Sequence, residues 1–500
     1  MKEPKFLIVS NSLRLVIGVL LSALSGVAFM LAFPPYEIWF LVFIGWIPLQ
    51  IAQFRIIPKR VSSIASATAL FVWLQGYIGP IFASFKTFMI WLPLVVGLLS
   101  LLMDAKLRKF HHNTRYRWYI LSGVASWAGT EMIRLFLPIA GTWAFIAYPL
   151  YRQVWFIQPI SIFGIIGLGM LIIFINLSLA MLIISLMDQR WKFEEDEYVI
   201  LYPFAKRWAV LCISILVVWV GLSLVLYTRP LNTSTITAAA IQPAGSPIIS
   251  SNQGNMEKAV RLRDRMIEQS LEAAKIGAKL IVWPEGSLMV DPQVDSSQIN
   301  FTSLAQETGA YMVTGYVVVM EDGFRNEATV VDPHGKFLGV FGKDHPVTFG
   351  GETSLSRGTY PVYDTSIGRI ATIICYDLDY TDTTRKMVRQ GAQIIAIPSN
   401  DWSAIADKHF NHVVFRAIEN RVAMVKADGG YDSAIIDPRG NILSLASFPQ
   451  GGEATLVSKV PLGDGKGTMN TFLGDWVGWI SLAGMVFFMF CGKTLEKIAR

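Results

Sequence analysis

Spanning the hydrocarbon core of a bilayer as a helix takes about 20 mostly apolar residues. Eight runs in this chain approach that length: 14–33, 38–54, 61–83, 88–103, 118–137, 160–187, 208–227 and 473–491. A chain segment in lipid must pair its own backbone N–H and C=O groups, so each run predicts a helix. The first run leads straight into Pro34-Pro35 and further apolar sequence, unlike a cleaved signal peptide. Apolar residues make up 53% and charged residues 16%, a balance that excludes an ordinary soluble protein.

The net charge of +6 does not point to nucleic acid, because the basic residues gather beside the apolar runs. Lys2 and Lys5 precede the first run, and Arg55, Lys59 and Arg60 follow the second. Lys106, Arg108, Lys109, Arg115 and Arg117 follow the fourth, and Arg190, Lys192, Lys206 and Arg207 the sixth. Lys493, Lys497 and Arg500 follow the last; the alternate short loops hold little more than Lys86 and Arg152. Positive charge marks the cytoplasmic side. Both termini are therefore expected in the cytoplasm. The expected organisation is a membrane region over 1–231, an extracytoplasmic domain over 232–471, and a final span with a cytoplasmic tail over 472–500.

The polar segment follows a different pattern. "ITAAAIQ", "AKLIVWPE", "AYMVTGYVVV", "EATVVDPHG", "RIATIICYD", "AQIIAIPSND" and "SAIIDPRGNI" read as short buried strands. Residues 255–277 and 407–421 read as amphipathic helices. Strands mixed with helices predict a layered α/β domain.

Three polar residues stand at ends of strand-like runs: Glu285 in "LIVWPEG", Lys343 after "FLGVFGK", and Cys375 in "IATIIC". Singly, each has a plain reading: a core thiol, a solvated carboxylate, a surface lysine. Together they can run acyl transfer. A thiolate attacks a carbonyl, a carboxylate takes the thiol proton, and an ammonium stabilises the oxyanion. Cys212 and Cys491 fall in apolar runs, so the chain's three cysteines do not form a disulfide framework. His409 and His412 have helical metal-ligand spacing but no evident third ligand, and a structural role is expected. His111 and His112 read as solvated loop residues, and Glu131 with Arg134 as a pair on one helix face.

Residues 236–460 resemble the nitrilase, or carbon–nitrogen hydrolase, superfamily. The resemblance rests on "WPEGS" (283–287), "GKDHPVTFGGE" (342–352), "ICYDLDY" (374–380), "PSNDW" (398–402) and the stretch 415–443. "LAFPPYEIWFLVFIGWIPL" (31–49), "GTEMIRLF" (129–136) and "QPISIFGIIGLGMLIIFINLSLA" (158–180) resemble the membrane part of the apolipoprotein N-acyltransferase family. The resemblance implies a polytopic helical membrane region of about eight spans plus an α/β nitrilase-like αββα sandwich. It makes Cys375 the nucleophile, Glu285 the general base and Lys343 the oxyanion-stabilising residue, with Tyr376, Asp377 and Glu352 in support. Asp377 stands where the family usually has glutamate, and Gly351 lengthens the loop before Glu352. The tryptophan the family often carries after the glutamine of its first strand is missing here.

The resemblance further implies a phospholipid acyl donor, a diacylated apolipoprotein acceptor, ping-pong turnover, no cofactor and no metal. It also implies a monomer in the bacterial cytoplasmic (inner) membrane. The alternatives are a membrane-anchored amidase, an N-acyltransferase acting on another amine, and an inactive binding platform. Apolar stretches at 247–251 and around Met289 are candidate membrane-facing loops.

Overall fold

The computed structural model describes residues 5–6, 9–83, 91–139, 141–192, 198–231 and 234–499. Residues 88–90 of the fourth expected span, Lys2, Lys86, Arg500 and the boundary position 232 lie outside the described residues.

Among the described residues, five helical segments are long and apolar enough to cross a membrane. They are α1 (Asn11–Ala32), a helical run over Trp39–Ile56, α5 (Ile160–Asp188), α6 (Tyr202–Thr228) and, at the end of the chain, α10 (Trp476–Ala499). The other three expected runs form shorter helices: α2 (Ile64–Tyr77), α3 (Leu92–Met103) and α4 (Tyr119–Arg134), of 14, 12 and 16 residues. Phe29, Trp46, Trp73 and Trp127 knit α1, the second run, α2 and α4 together through ring contacts of 4.4–6.3 Å.

Several polar residues differ from expectation because helix packing buries them. Arg55, counted among loop charges, makes a two-pronged bond to Asp188 at 2.7 Å inside the bundle. Arg108 is also buried and donates to the Ile57 carbonyl. His111 packs among Phe54, Tyr116 and Tyr119 instead of standing in water. Glu131 and Arg134 attract each other across one helix turn, as expected, but each hydrogen-bonds elsewhere. Glu131 accepts from the Trp127 indole at 3.1 Å, and Arg134 donates to the Trp143 carbonyl.

Between α6 and α10 lie two six-stranded sheets. The strands are β1 (Thr235–Gln242), β2 (Leu280–Val282), β3 (Tyr311–Met320), β4 (Gly323–Val331), β5 (Phe337–Gly342), β6 (Val362–Thr365), β7 (Gly368–Thr372), β8 (Ile394–Ser399), β9 (Ala423–Asp428), β10 (Asp432–Ile436), β11 (Ile442–Ser447) and β12 (Ala454–Pro461). One sheet runs β12-β1-β2-β3-β4-β5 and the other β11-β10-β9-β8-β7-β6.

Side chains alternate faces along a strand. Ala238 and Ala240 therefore enter the core between the sheets, while Ala239 and Ile241 meet α7 (Met256–Lys275) through Met266 and Ala273. Likewise Ile394 and Ala396 face the other sheet, while Ile395 and Ile397 face the layer of α8 (Asp382–Arg389) and α9 (Phe410–Asn420). This gives the expected αββα order. The apolar layer around α9 continues without a break into the membrane bundle.

Two glycines make that junction possible. Gly164 (φ 67°, ψ 175°) breaks α5, leaving the Ile165 N–H free to donate to Glu419 of α9 at 2.8 Å. Gly141 (φ 46°) brings its backbone so close to the Asp379 carbonyl that a Cβ would lie 2.7 Å from that oxygen. Both positions need a conformation open mainly to glycine. The stretch 247–251, expected as an apolar loop, instead forms a short helix, Pro247–Asn252, capped by Ser246.

Candidate active site

Cys375 follows β7 on a tight helical turn, Cys375–Asp379, at φ 43°. A side chain other than glycine at positive φ carries strain, and such strain gathers where a site fixes a reacting atom. Glu285 follows β2, and Lys343 follows β5. The fold thus brings the three expected residues from two sheets to one buried place.

Lys343 Nζ lies 2.8 Å from Glu285 Oε1 and 2.9 Å from Glu352 Oε2, and only 2% of its side chain is exposed. Asn326 of β4 ties the same carboxylates together, donating to Glu285 at 2.7 Å and to Glu352 at 2.6 Å. Glu352 also accepts from the Val347 N–H at 2.8 Å. Gly351, at φ 84°, absorbs the extra loop residue, so Glu352 still reaches the lysine.

Asp377 is fully buried and acts as a brace. It accepts from the backbone N–H groups of Asp344 (3.1 Å), His345 (2.8 Å) and Ile374 (2.9 Å). The short carboxylate thus pins the loop after Lys343 onto the turn that carries Cys375. Burial pushes Asp377 up to about 7, against the pull of His345 and these N–H groups. Tyr376 donates to the Pro138 carbonyl at 3.3 Å and packs edge-on against Phe349.

The thiol has a neighbour that the spacing did not reveal. Cys375 Sγ lies 3.5 Å from Asp401 Oδ1. Asp401 is held by Lys426 Nζ at 2.6 Å, His409 Nδ1 at 2.8 Å and Ser399 Oγ at 3.0 Å. Burial, Glu285 and Asp401 push the thiol well above its ordinary range, and Lys343 only partly offsets them. The resting sulfur therefore carries its proton.

The sign of the Glu285 effect is testable. In a chain lacking Cys212 and Cys491, alkylation of Cys375 by iodoacetamide is expected to rise only above the usual thiol midpoint. Glu285→Gln removes one raising charge, and the midpoint is expected to fall by roughly one pH unit. An unchanged midpoint would show that Glu285 does not face the sulfur.

The site opens into a cavity of about 560 Å³ that runs down into the membrane helices. Its walls include Leu70 and Leu74 of α2, Val96 and Leu99 of α3, and Trp127 and Ile133 of α4. Cys375 and Tyr376 sit on its lining, with Trp143 and Trp402 as aromatic walls. Neither 247–251 nor Met289 is part of that lining. Asn326 and Trp143 left no signal in the sequence, since each acts only through partners distant along the chain. Asp401 was visible within "PSNDW", but its contact with the thiol was not.

A two-sheet sandwich with a glutamate, a lysine and a cysteine gathered at one edge defines a carbon–nitrogen hydrolase-type protein. Residues 237–468 match the carbon-nitrogen hydrolase family. Residues 25–178 match the apolipoprotein N-acyltransferase N-terminal domain. Over nearly its whole length the chain is similar to apolipoprotein N-acyltransferases. It is 27% identical to the apolipoprotein N-acyltransferase of Geobacter metallireducens over 93% of each chain. It is 24% identical to the Vibrio cholerae protein of the same name, covering 86% of this chain and 88% of that one. A nitrilase from Pyrococcus abyssi is 27% identical over 35% of this chain and 75% of its own.

Proposed function

We propose that this membrane enzyme moves an acyl chain from a phospholipid to the N-terminal α-amine of a diacylglyceryl-cysteine lipoprotein, through a thioester on Cys375. The apolar cavity that joins the membrane helices to the sulfur carries this reading. A soluble amide would need no such space, whereas an acyl chain entering from lipid does.

In the first half-reaction the Cys375 thiol passes its proton to Glu285, and the sulfur attacks the ester carbonyl. The Lys343 ammonium stabilises the oxyanion. The ester C–O bond breaks, and the leaving lysophospholipid alkoxide takes the proton from Glu285. In the second half-reaction the neutral amine attacks the thioester, Glu285 accepts an N–H proton, the C–S bond breaks and the sulfur is reprotonated. Glu352 and Asn326 hold the lysine and base in register, and Asp377 and Tyr376 position the turn. The catalytic unit, residues 232–471, lies on the extracytoplasmic face with both termini inside; the distribution of Lys and Arg supports this. The chain works as a monomer.

Intact mass of the purified protein after incubation with phospholipid tests the first step. An acyl-sized, hydroxylamine-sensitive adduct is expected, and a diacylated lipopeptide should discharge it to a triacylated product. Lipid turnover to free fatty acid with no acylated peptide would favour a hydrolase. A folded protein that forms no adduct would overturn the acyl-donor assignment.

A further inference from the structure

The sequence offers His409 and His412 without a third ligand; the fold supplies one. Asp379, in the turn that begins at Cys375, reaches across to both. His409 Nε2 lies 3.3 Å and His412 Nδ1 2.6 Å from Asp379 Oδ1. The distances are short, but none of these three atoms has an aligned hydrogen bond, and all are buried. The three polar atoms meet at one buried place, with the carboxylate oxygen standing between the two imidazoles.

The surrounding groups fit a metal centre. A metal-binding imidazole characteristically donates its other N–H to a carboxylate. His409 Nδ1 does this, 2.8 Å from Asp401 Oδ2. Asp379 keeps Oδ1 for the shared point while Oδ2 accepts from the Trp143 indole at 2.8 Å. The His412 ring is fixed by stacking on Tyr148 at 4.1 Å.

Charge points the same way. Asp379, Asp401, Asp428 and Asp432 are all buried, and Lys426 bonds both Asp401 and Asp432. Lys426 and the buried Arg416, which acts on His412, are the cations beside these groups. Buried charge left uncompensated is costly. A divalent ion held by Asp379, His409 and His412 would place positive charge beside these acidic groups.

We propose that Asp379, His409 and His412 bind a divalent cation of the zinc class. Two imidazoles and one carboxylate are a donor set that zinc accepts, with a further position left for water. The same three atoms lie within 4.8 Å of one another. Donors about 2.0–2.2 Å from a tetrahedral ion stand about 3.4 Å apart, close to the 3.3 Å between His409 Nε2 and Asp379 Oδ1, while His412 Nδ1, at 2.6 Å, would move outward to admit the ion. The competing set Cys375, Asp401 and His409 is weaker, because Asp401 is already engaged by Lys426, Ser399 and His409 Nδ1. The ion would lock His409 with its Nδ1–H toward Asp401, and so hold the carboxylate that faces Cys375 Sγ.

The test uses the full-length protein in detergent, loaded with Co2+ and freed of excess metal. About one Co2+ per chain, with the visible absorption of a low-coordinate site, is expected. His412→Phe keeps a ring on Tyr148 but removes a donor, and should weaken Co2+ binding more than tenfold. Asp379→Asn, which retains an acceptor for Trp143, provides a second reading if His412→Phe does not fold. Cys375→Ala should bind Co2+ as the native chain does, and a chelator should lower the native melting temperature. A folded native protein that binds no Co2+ would overturn the proposal. So would loss of binding in Cys375→Ala, which would move the ion to the thiol.

Discussion

Cys375→Ala is expected to lose acyl transfer by at least about 1,000-fold while keeping its fold. The substitution removes only the sulfur. Cβ remains, and alanine meets the same backbone strain at φ 43° that cysteine already bears. Asp401 loses its thiol neighbour but keeps Lys426, His409 and Ser399, so no buried charge is left unpaired. Transfer from phospholipid to a diacylated lipopeptide, measured beside a melting curve, checks both halves of the statement. A rate within tenfold of native would remove Cys375 from the chemistry.

Lys343→Met is expected to fail in a different way. It removes the group that stabilises the oxyanion and also leaves Glu285 and Glu352 buried together with no cation. Breaking a buried pair from one side costs about 3–5 kcal/mol, so both transfer and melting temperature should fall. The pH dependence gives the cause. Burial raises Glu352, but Lys343, the Val347 N–H and Asn326 outweigh it and hold the carboxyl below its usual range. Its contribution in the native chain is therefore present above the unfolded pKa and is lost as pH falls through the folded one. In Lys343→Met the sign reverses, because both carboxyls now favour protonation. Acidification from about 7 to 5 should narrow the melting gap between variant and native. A gap that stays constant would mean the lysine is not the partner that ionises these carboxyls.

The two variants separate chemistry from support, and the sequence separates them less well. Glu285, Lys343 and Cys375 were legible because each ends an apolar run, and strand ends are where a sandwich displays polar groups. Their spacing also matched a family pattern. Asp377 and Glu352 were visible as residues but not as contacts. Asp377 is one methylene shorter than the family's glutamate and Gly351 adds a residue before Glu352, yet Asp377 reaches three backbone N–H groups and Glu352 reaches Lys343. Asn326 was not legible at all. It lies on β4, and its importance comes from facing two carboxylates carried on separate loops.

Local pattern alone determined which segments are apolar enough for lipid, which alternate as strands, and which polar residues end them. These properties follow from hydrophobic periodicity over a few residues. Contacts between distant segments were left to the tertiary structure. It buried Arg55 against Asp188, gave Glu131 and Arg134 separate hydrogen-bond partners, and carried Trp143 from the membrane part onto Asp379. It also closed His409 and His412 on Asp379, thirty and more residues earlier in the chain. Such meetings depend on how two sheets and a helix bundle pack, through short-range forces that leave no periodic trace along the chain.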